Sequence, residues 1–228
     1  MTINPDQLIL FQWGWFKLNA TIFFTWLVML LLTLGSWMVT KRLTTKGTLS
    51  RWQNLLEVLV KGIKDQIHQI SRQEPGTYVP FVGTLFIFIA ISNLLAIVPG
   101  YVPPTSSLST TAALAICVFI AVPVFGIAQQ GVADYLKQYL RPTPFMLPFN
   151  VIGELSRTLA LAVRLYGNIM SGSIIVAILL TITPLIFPVI MQILGLLTGL
   201  IQAYIFAILA MVYIASASKA HEDLEERG

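Results

Sequence analysis

The sequence predicts an all-α polytopic membrane protein with about five membrane helices and one interfacial amphipathic helix, the last two membrane helices forming a long, strongly tilted hairpin. Hydrophobic residues make up 56% of the 228 residues and charged residues only 11%, which is too apolar for a soluble domain. Charge-free stretches long enough to cross a bilayer recur along the chain, with basic residues clustered beside them. Residues 1–228 are therefore predicted to form a single membrane domain.

The first predicted span covers residues 18–40, which contain no charged side chain. A helix of roughly 20 residues is long enough to cross the hydrocarbon core. The residues before it have neither a basic region nor a small-residue cleavage site, so we expect this segment to stay in the mature protein. The basic residues that follow mark the cytoplasmic side and place the N-terminus outside; they are Lys41, Arg42, Lys46, Arg51, Lys61, Lys64 and Arg72.

Residues 50–73 carry an amphipathic pattern. Apolar residues recur there at helical spacing, and the charged residues fall on other faces of the same helix. The apolar set is Leu55, Leu56, Leu59, Val60, Ile63, Ile67 and Ile70, and the polar set is Glu57, Lys61, Lys64, Asp65 and His68. This pattern is typical of a helix lying in the membrane interface. We interpret His68 as solvated rather than as a metal ligand.

Two more spans are predicted within residues 78–133. No charge occurs from position 75 to position 133, and the prolines near positions 99 and 103 divide this run into an outgoing and a returning helix. The return ends at Asp134, Lys137 and Arg141, a second basic flank on the cytoplasmic side.

The hairpin is predicted over residues 145–218. At 1.5 Å per residue, a continuous helix from position 145 to position 183 would exceed about 50 Å, against a hydrocarbon core of about 30 Å. Such a helix has to tilt strongly. A second long apolar segment follows Pro184 and returns to the charges that begin at Lys219, which places the C-terminus in the cytoplasm. No internal repeat is evident, which disfavours an inverted-repeat transporter.

Several functional classes are excluded by composition. The net charge of +4 arises from the basic flanks, so topology explains it and nucleic-acid binding is not expected. Cys117 is the only cysteine, so neither a disulfide framework nor a thiolate metal site is possible within one chain. We expect no metal and no cofactor. The sequence also has no P-loop pattern, so we expect no nucleotide site of that type in this chain.

Arg164 is the most informative residue, because no other charge occurs between it and Lys219. A guanidinium cannot lose its proton, and placing it at membrane depth costs from about 2.5 to above 10 kcal/mol. On one helix Arg157, Arg164, Asn168 and Ser171 share a narrow sector. Glu154 is the only carboxylate between Asp134 and Glu222, and it lies nearly three turns from Arg164. Either a permanent partner neutralises Arg164, or its counter-charge comes from another subunit.

A second polar stripe lies on the final helix. Gly195, Thr198, Gly199 and Gln202 fall on one side of it, and the two glycines permit close helix approach. Gln202 is the polar candidate for function. The alternative is that it only makes a neutral hydrogen bond between helices.

The residues around Arg164 and Gln202 resemble a known family signature. The stretch 160–169, ALAVRLYGNI, is similar to the signature of subunit a of the membrane (Fo) sector of F-type rotary ATP synthases. The likeness extends to PFNVIGELSR at 148–157, to PT at 104–105 with LSTTAAL at 108–114, and to IQAYIF at 201–206. It covers most of the chain after residue 75.

The resemblance implies a non-catalytic, ion-translocating stator subunit in a bacterial inner (plasma) membrane. Arg164 would face the carboxylates of the rotor c-ring, with Asn168 beside it and Gln202 on the last helix. Ions would enter one half-channel, ride the ring and leave through a second, driving ATP synthesis or being driven by hydrolysis. Other expected partners are subunit b of the stator stalk, the rest of the complex and the lipid bilayer. Secondary half-channel candidates are Ser171, Ser173, Glu154, Arg157, Ser107 and Asn93.

Departures from the family pattern bear on the ion. Many proton-translocating members carry an acid where this chain has Ser173, an ionisable residue where it has Gly195, and an aspartate in the outer loop, where Ser106, Ser107 and Ser109 stand instead. Hydroxyls and carbonyls suit a sodium ion, whereas a proton relay uses titratable groups or water. The pattern favours sodium, and proton conduction along water stays open.

Two other functions stay open from the residues alone. A stand-alone channel or secondary transporter would need its own counter-charge for Arg164, and a membrane scaffold would use Arg164 only in assembly. Glu154 and Arg157 either line the cytoplasmic half-channel or form a local ion pair, since residues three apart meet on a helix.

Overall fold

The computed structural model describes residues 9–13, 16–41, 51–71, 75–98, 100–133, 135–136, 145–183 and 187–219. Six long helices dominate these residues: α1 (Ala20–Thr40), α2 (Arg51–Ser71), α3 (Val79–Leu94), α4 (Leu108–Gln130), α5 (Met146–Ile182) and α6 (Phe187–Lys219). All except α2 are long and apolar enough to cross a membrane. The predicted class, an all-α polytopic membrane protein, is confirmed.

One feature departs from a purely helical chain. β1 (Ile9–Trp13) and β2 (Phe16–Asn19) pair antiparallel, with Trp13 opposite Phe16. The strand β2 ends at Asn19, so α1 begins at Ala20, two residues later than the sequence predicted. The strands are too short and too close to the apolar span for periodicity to separate them from it.

The core is built by α3, α4, α5 and α6. Ile89 of α3, Val118 of α4, Leu165 of α5 and Phe206 of α6 are all buried in one apolar cluster. α1 adds Val28 to this cluster, while most of its large apolar side chains, such as Trp26, stay exposed. The packing of these four helices therefore fixes the positions of the polar side chains on α3, α5 and α6.

α2 packs on a second apolar cluster through Ile67, which lies with Tyr78 and Met211. Its charged residues Lys61, Lys64 and Asp65 are exposed, as an amphipathic helix requires. Other residues used in the sequence prediction lie outside the described part of the chain; these are Arg42, Lys46, Arg72, Asp134, Lys137, Arg141 and Pro184, as well as the side chains of Leu55, Leu56, Leu59 and Ile70.

α5 and α6 are the longest helices, with 37 and 33 residues. At 1.5 Å per residue they measure about 55 Å and about 50 Å. Each exceeds the thickness of a bilayer core, and they pack against each other as well as against α4.

Candidate functional site

Arg164 lies at the centre of α5, eighteen residues from Met146 and eighteen from Ile182. The neighbouring Leu161 and Leu165 point into the core and are buried, so Arg164 faces away from it and is exposed. The one carboxylate of α5, Glu154, is ten residues away, which is about 15 Å along the helix axis. α5 therefore supplies no counter-charge within ion-pair distance of Arg164.

The structure brings two of the predicted site residues into contact. Asn168, one turn after Arg164, donates a hydrogen bond from Nδ2 to Oε1 of Gln202 on α6, at 2.8 Å. Gln202 is only 2% exposed, and its Nε2 has no hydrogen-bond partner among the described residues. The hydrogen bond between the two amides thus links α5 to α6 one turn from Arg164. Gln202 Nε2 is a buried donor that no described residue uses.

A cavity of about 290 Å³ lies between α3, α5, α6 and the α3–α4 loop. We call it the interhelical cavity. Its polar lining residues are Asn93, Tyr101, Asn168, Ser173 and Gln192, and neither a carboxylate nor a histidine occurs among its described lining residues. The cavity therefore offers amides, hydroxyls and carbonyls.

Tyr101 does not add a charge to this cavity. Burial raises the pKa of its phenol, and the neighbouring Ser92 hydroxyl lowers that pKa by a smaller amount. Tyr101 Oη and Ser92 Oγ are neighbouring buried atoms, but neither makes a hydrogen bond of normal geometry within the described ranges. Tyr101 is thus a neutral phenol at physiological pH.

A second depression, of about 190 Å³, lies on the surface between α5 and α6. We call it the surface groove; Ser171 and Thr198 are among its lining residues. Asn168, Gly172, Met191 and Gly195 line both the groove and the interhelical cavity. A Cβ atom added to either glycine would meet nothing within 4 Å. The two glycines therefore leave open space between the cavity and the exposed face of the helix pair.

Hydrogen bonds from α3 fix one wall of the cavity. Asn93 Nδ2 donates to the Gly199 carbonyl at 2.9 Å, and Asn93 Oδ1 accepts from Thr105 Oγ1 at 2.6 Å. Gln192 Nε2 donates to the Ala96 carbonyl at 3.2 Å. Thr105, Tyr101 and Gln192 were not predicted as site residues, although Thr105 belongs to the PT at 104–105 that carries part of the family resemblance. Gln192 could have been found, because it lies three residues before Gly195 on the same stripe.

The predicted serines occupy three different places. Ser173 lines the interhelical cavity and donates to the Ile169 carbonyl at 3.0 Å. Ser171 lines the surface groove and donates to the Asn168 carbonyl at 3.2 Å. Ser107 is buried before α4, and its hydroxyl is 2.6 Å from that of Ser109. The geometry therefore brings Ser171 and Ser173 to the site, while Ser107 lies in a local network at the start of α4.

Glu154 and Arg157 lie at the other end of the bundle, where they line a small cavity of about 20 Å³ between α4, α5 and α6. The Arg157 guanidinium carbon is 5.7 Å from the centre of the Tyr213 ring, within the range of a cation–π contact. This contact holds the Arg157 side chain against α6. The cavity that Arg157 lines is separate from the interhelical cavity beside Asn168.

The chain is similar to known proteins along almost its whole length. Residues 22–215 match the family model described as ATP synthase A chain. The protein called ATP synthase subunit a 2 of Acaryochloris marina is 64% identical over 222 residues, which are 97% of this chain and 95% of that protein. ATP synthase subunit a of Nitrosospira multiformis is 61% identical over 96% of this chain and 87% of that protein.

A third relative covers the whole chain. ATP synthase subunit a of Albidiferax ferrireducens is 58% identical over 228 residues, 100% of this chain and 99% of that protein. The family model begins within α1 and ends within α6, four residues before Lys219, so it includes residues of all six helices. The chain belongs to the family of ATP synthase subunit a, a membrane (Fo) sector subunit of the F-type ATP synthases.

Proposed function

We propose that this stator subunit passes a cation between two half-channels and a ring of rotor c-subunits whose carboxylates face Arg164. The position of Arg164 carries the proposal: it is exposed at the middle of α5, and the one carboxylate on that helix is about 15 Å away along the axis. Ala160 and Gly167 flank it with little side-chain bulk, which permits close approach of another helix.

The interhelical cavity is the proposed half-channel on the outer side. An ion leaving the cavity passes between Gly172 and Gly195 into the surface groove, which opens on the exposed face of the hairpin. Ser171 in the groove is seven residues from Arg164, about 10 Å along α5. The guanidinium stabilises a passing rotor carboxylate in its ionised form, so the ion is released, and it repels free cations that would leak straight through.

The cavity around Glu154 and Arg157 is the proposed start of the cytoplasmic half-channel. It lies near the opposite end of α5 from the interhelical cavity. This arrangement keeps the two half-channels apart, so an ion has to travel with the rotor to pass from one to the other. The proposed orientation has the N-terminus outside and the C-terminus in the cytoplasm of a bacterial inner membrane, where subunit b would complete the stator; the basic residues after α1, beginning with Lys41, support it.

Sodium is the proposed coupling ion. The described lining of the interhelical cavity contains amides and hydroxyls and no carboxylate, a donor set that suits sodium better than a titrating proton relay. The test is ATP-driven uptake of radioactive sodium by proteoliposomes that contain the whole complex. Uptake that persists with a protonophore supports sodium, whereas ATP-driven acidification without sodium uptake would show that protons cross this cavity along water.

The role of Arg164 has its own test in the same vesicles. We expect Arg164→Ala to abolish ATP-driven ion transport while the complex still assembles, because no other cation occurs on α5 after Arg157. Lys64→Ala is the matched control, because it removes one exposed cation from α2. Intact transport by Arg164→Ala would reject the proposal.

Membership of the family does not favour a stand-alone channel or transporter. Ion transport by the purified chain without the rotor would support that alternative.

A further inference from the structure

Two side-chain hydrogen bonds join α3 to α6 in opposite directions. Asn93 of α3 donates to a carbonyl of α6 at Gly199, and Gln192 of α6 donates to the carbonyl of Ala96, just after α3. The two α6 residues are seven positions apart, which is two helical turns. Each bond is made only at the present separation of the helices, since hydrogen bonds weaken beyond about 3.2 Å.

The orientation of the Asn93 amide is set by its partners. The Gly199 carbonyl can only accept, so it has to face Nδ2, and Oδ1 then accepts from the Thr105 hydroxyl. Asn93 is 3% exposed and Thr105 is fully buried. Water therefore does not replace either bond readily, and the loss of one partner leaves a buried polar atom unpaired.

Gly199 is required for the close approach at this point. A Cβ atom there would lie 3.0 Å from Asn93 Cβ and 3.2 Å from Asn93 Nδ2. Gly195 lies between the two bonds, three residues after Gln192 and four before Gly199, and has open space where its Cβ would be. α6 is thus bonded to the α3 side on both sides of Gly195, the residue that borders the opening between α5 and α6.

We propose that Asn93 and Gln192 act as positioning residues that form a double clamp between α3 and α6. The clamp fixes the position of α6 relative to α3, so that Gly195 stays in place on its side of the opening and Gln202, three residues after Gly199, stays in register with Asn168. A shift of α6 by about 1 Å would break the 2.8 Å bond between these amides. The inference rests on the proposed function, because it assigns the clamp to the proposed outer half-channel.

The first test replaces each clamp residue with an apolar one in the whole complex. We expect Asn93→Leu and Gln192→Leu to lower ATP-driven ion transport about tenfold or more, because small misplacements of a site are costly. Gln66→Leu is the matched control: it also removes a hydrogen bond to α6, the one from Tyr204 at 2.9 Å, but away from the cavity. Wild-type transport by both clamp variants, or equal loss in the control, would overturn the proposal.

A cross-link separates positioning from a general effect on assembly. In a Cys117→Ser background, Asn93→Cys combined with Gly199→Cys places two thiols where the Cβ atoms are 3.0 Å apart, so a disulfide requires an adjustment of about 0.5 Å. We expect the assembled, reduced complex to transport slowly and to recover on oxidation, because the disulfide replaces the clamp. Failure of the disulfide to form, or transport that stays low after oxidation, would overturn the proposal.

These outcomes are independent of the Arg164 test. If Arg164→Ala abolishes transport while the clamp variants transport normally, the proposed function stands and the clamp fails. If Arg164→Ala transports normally, the proposed function fails whatever the clamp variants do.

Discussion

Replacing Asn168 or Gln202 removes the same hydrogen bond, but the two replacements are expected to differ in cost. Gln202 is 2% exposed, so its amide atoms depend on protein partners. Asn168 lines both the interhelical cavity and the surface groove, so water reaches its amide once Gln202 is gone. The two substitutions therefore differ in their cost to stability, even though both break the same 2.8 Å hydrogen bond.

The magnitudes follow from the atoms left behind. Asn168→Leu leaves Gln202 Oε1 buried without a donor and fills the space through which water could enter, at a cost of about 1–3 kcal/mol. Gln202→Met keeps the side-chain volume and removes Nε2, which has no partner among the described residues. It loses one interhelical hydrogen bond of about 0.6 kcal/mol, so we expect its stability to stay within about 1 kcal/mol of the wild type.

The double variant provides the sharper comparison. Combining Asn168→Leu with Gln202→Met replaces both partners with apolar groups, which is often nearly neutral. We expect the double variant to be more stable than Asn168→Leu alone by about 1 kcal/mol or more. Transport should fall in all three variants, because each loses an amide beside Arg164.

The assay is thermal unfolding of subunit a in the solubilised complex, with ATP-driven uptake measured in parallel. About 1 kcal/mol corresponds to a shift of about 2–4 °C for a chain of 150–250 residues. The reasoning would be refuted if Gln202→Met were less stable than Asn168→Leu, or if the double variant were no more stable than Asn168→Leu alone.

Three further substitutions test other contacts. Gly126→Ala would put a Cβ atom 2.6 Å from the Tyr135 ring and should destabilise by about 1–3 kcal/mol, whereas Gly35→Ala, with nothing within 4 Å, should be neutral or stabilising in the same thermal assay. Tyr101→Phe removes a buried hydroxyl without a described partner. Burial raises the pKa of Tyr101, so above about pH 10 the phenol ionises in the unfolded chain while it stays protonated in the folded one, and the wild type loses stability there. Unfolding measured between about pH 9 and pH 11 should therefore show a smaller loss of stability in Tyr101→Phe than in the wild type. Gly195→Leu should lower transport about tenfold without loss of assembly, because it fills the opening between cavity and groove, and Gly35→Leu is its control; normal uptake by Gly195→Leu would contradict the proposed path.

Parts of the site were accessible from the sequence. Asn168 and Gln202 were expected near Arg164 from the family resemblance and the helical stripes, and the structure places them in contact. Ser107 was predicted as a half-channel residue; it lies in a network at the start of α4, and its role in a half-channel stays a prediction. A loop residue has no periodicity from which its direction could be inferred, because loop conformation depends on local hydrogen bonds and packing.

The sequence by itself determined which segments are apolar enough to cross a membrane, and it singled out Arg164 as a charge with no other charge between it and Lys219. Both conclusions follow from the side chains of a single segment, because the free energy of transferring that segment into hydrocarbon depends on those side chains. Only the tertiary structure decided that Asn93 meets Gly199, 106 residues away, and that Gly172 and Gly195 open one cavity onto the surface. Helical periodicity defines the faces of each helix, whereas contacts between helices depend on how the helices cross and rotate when their cores pack.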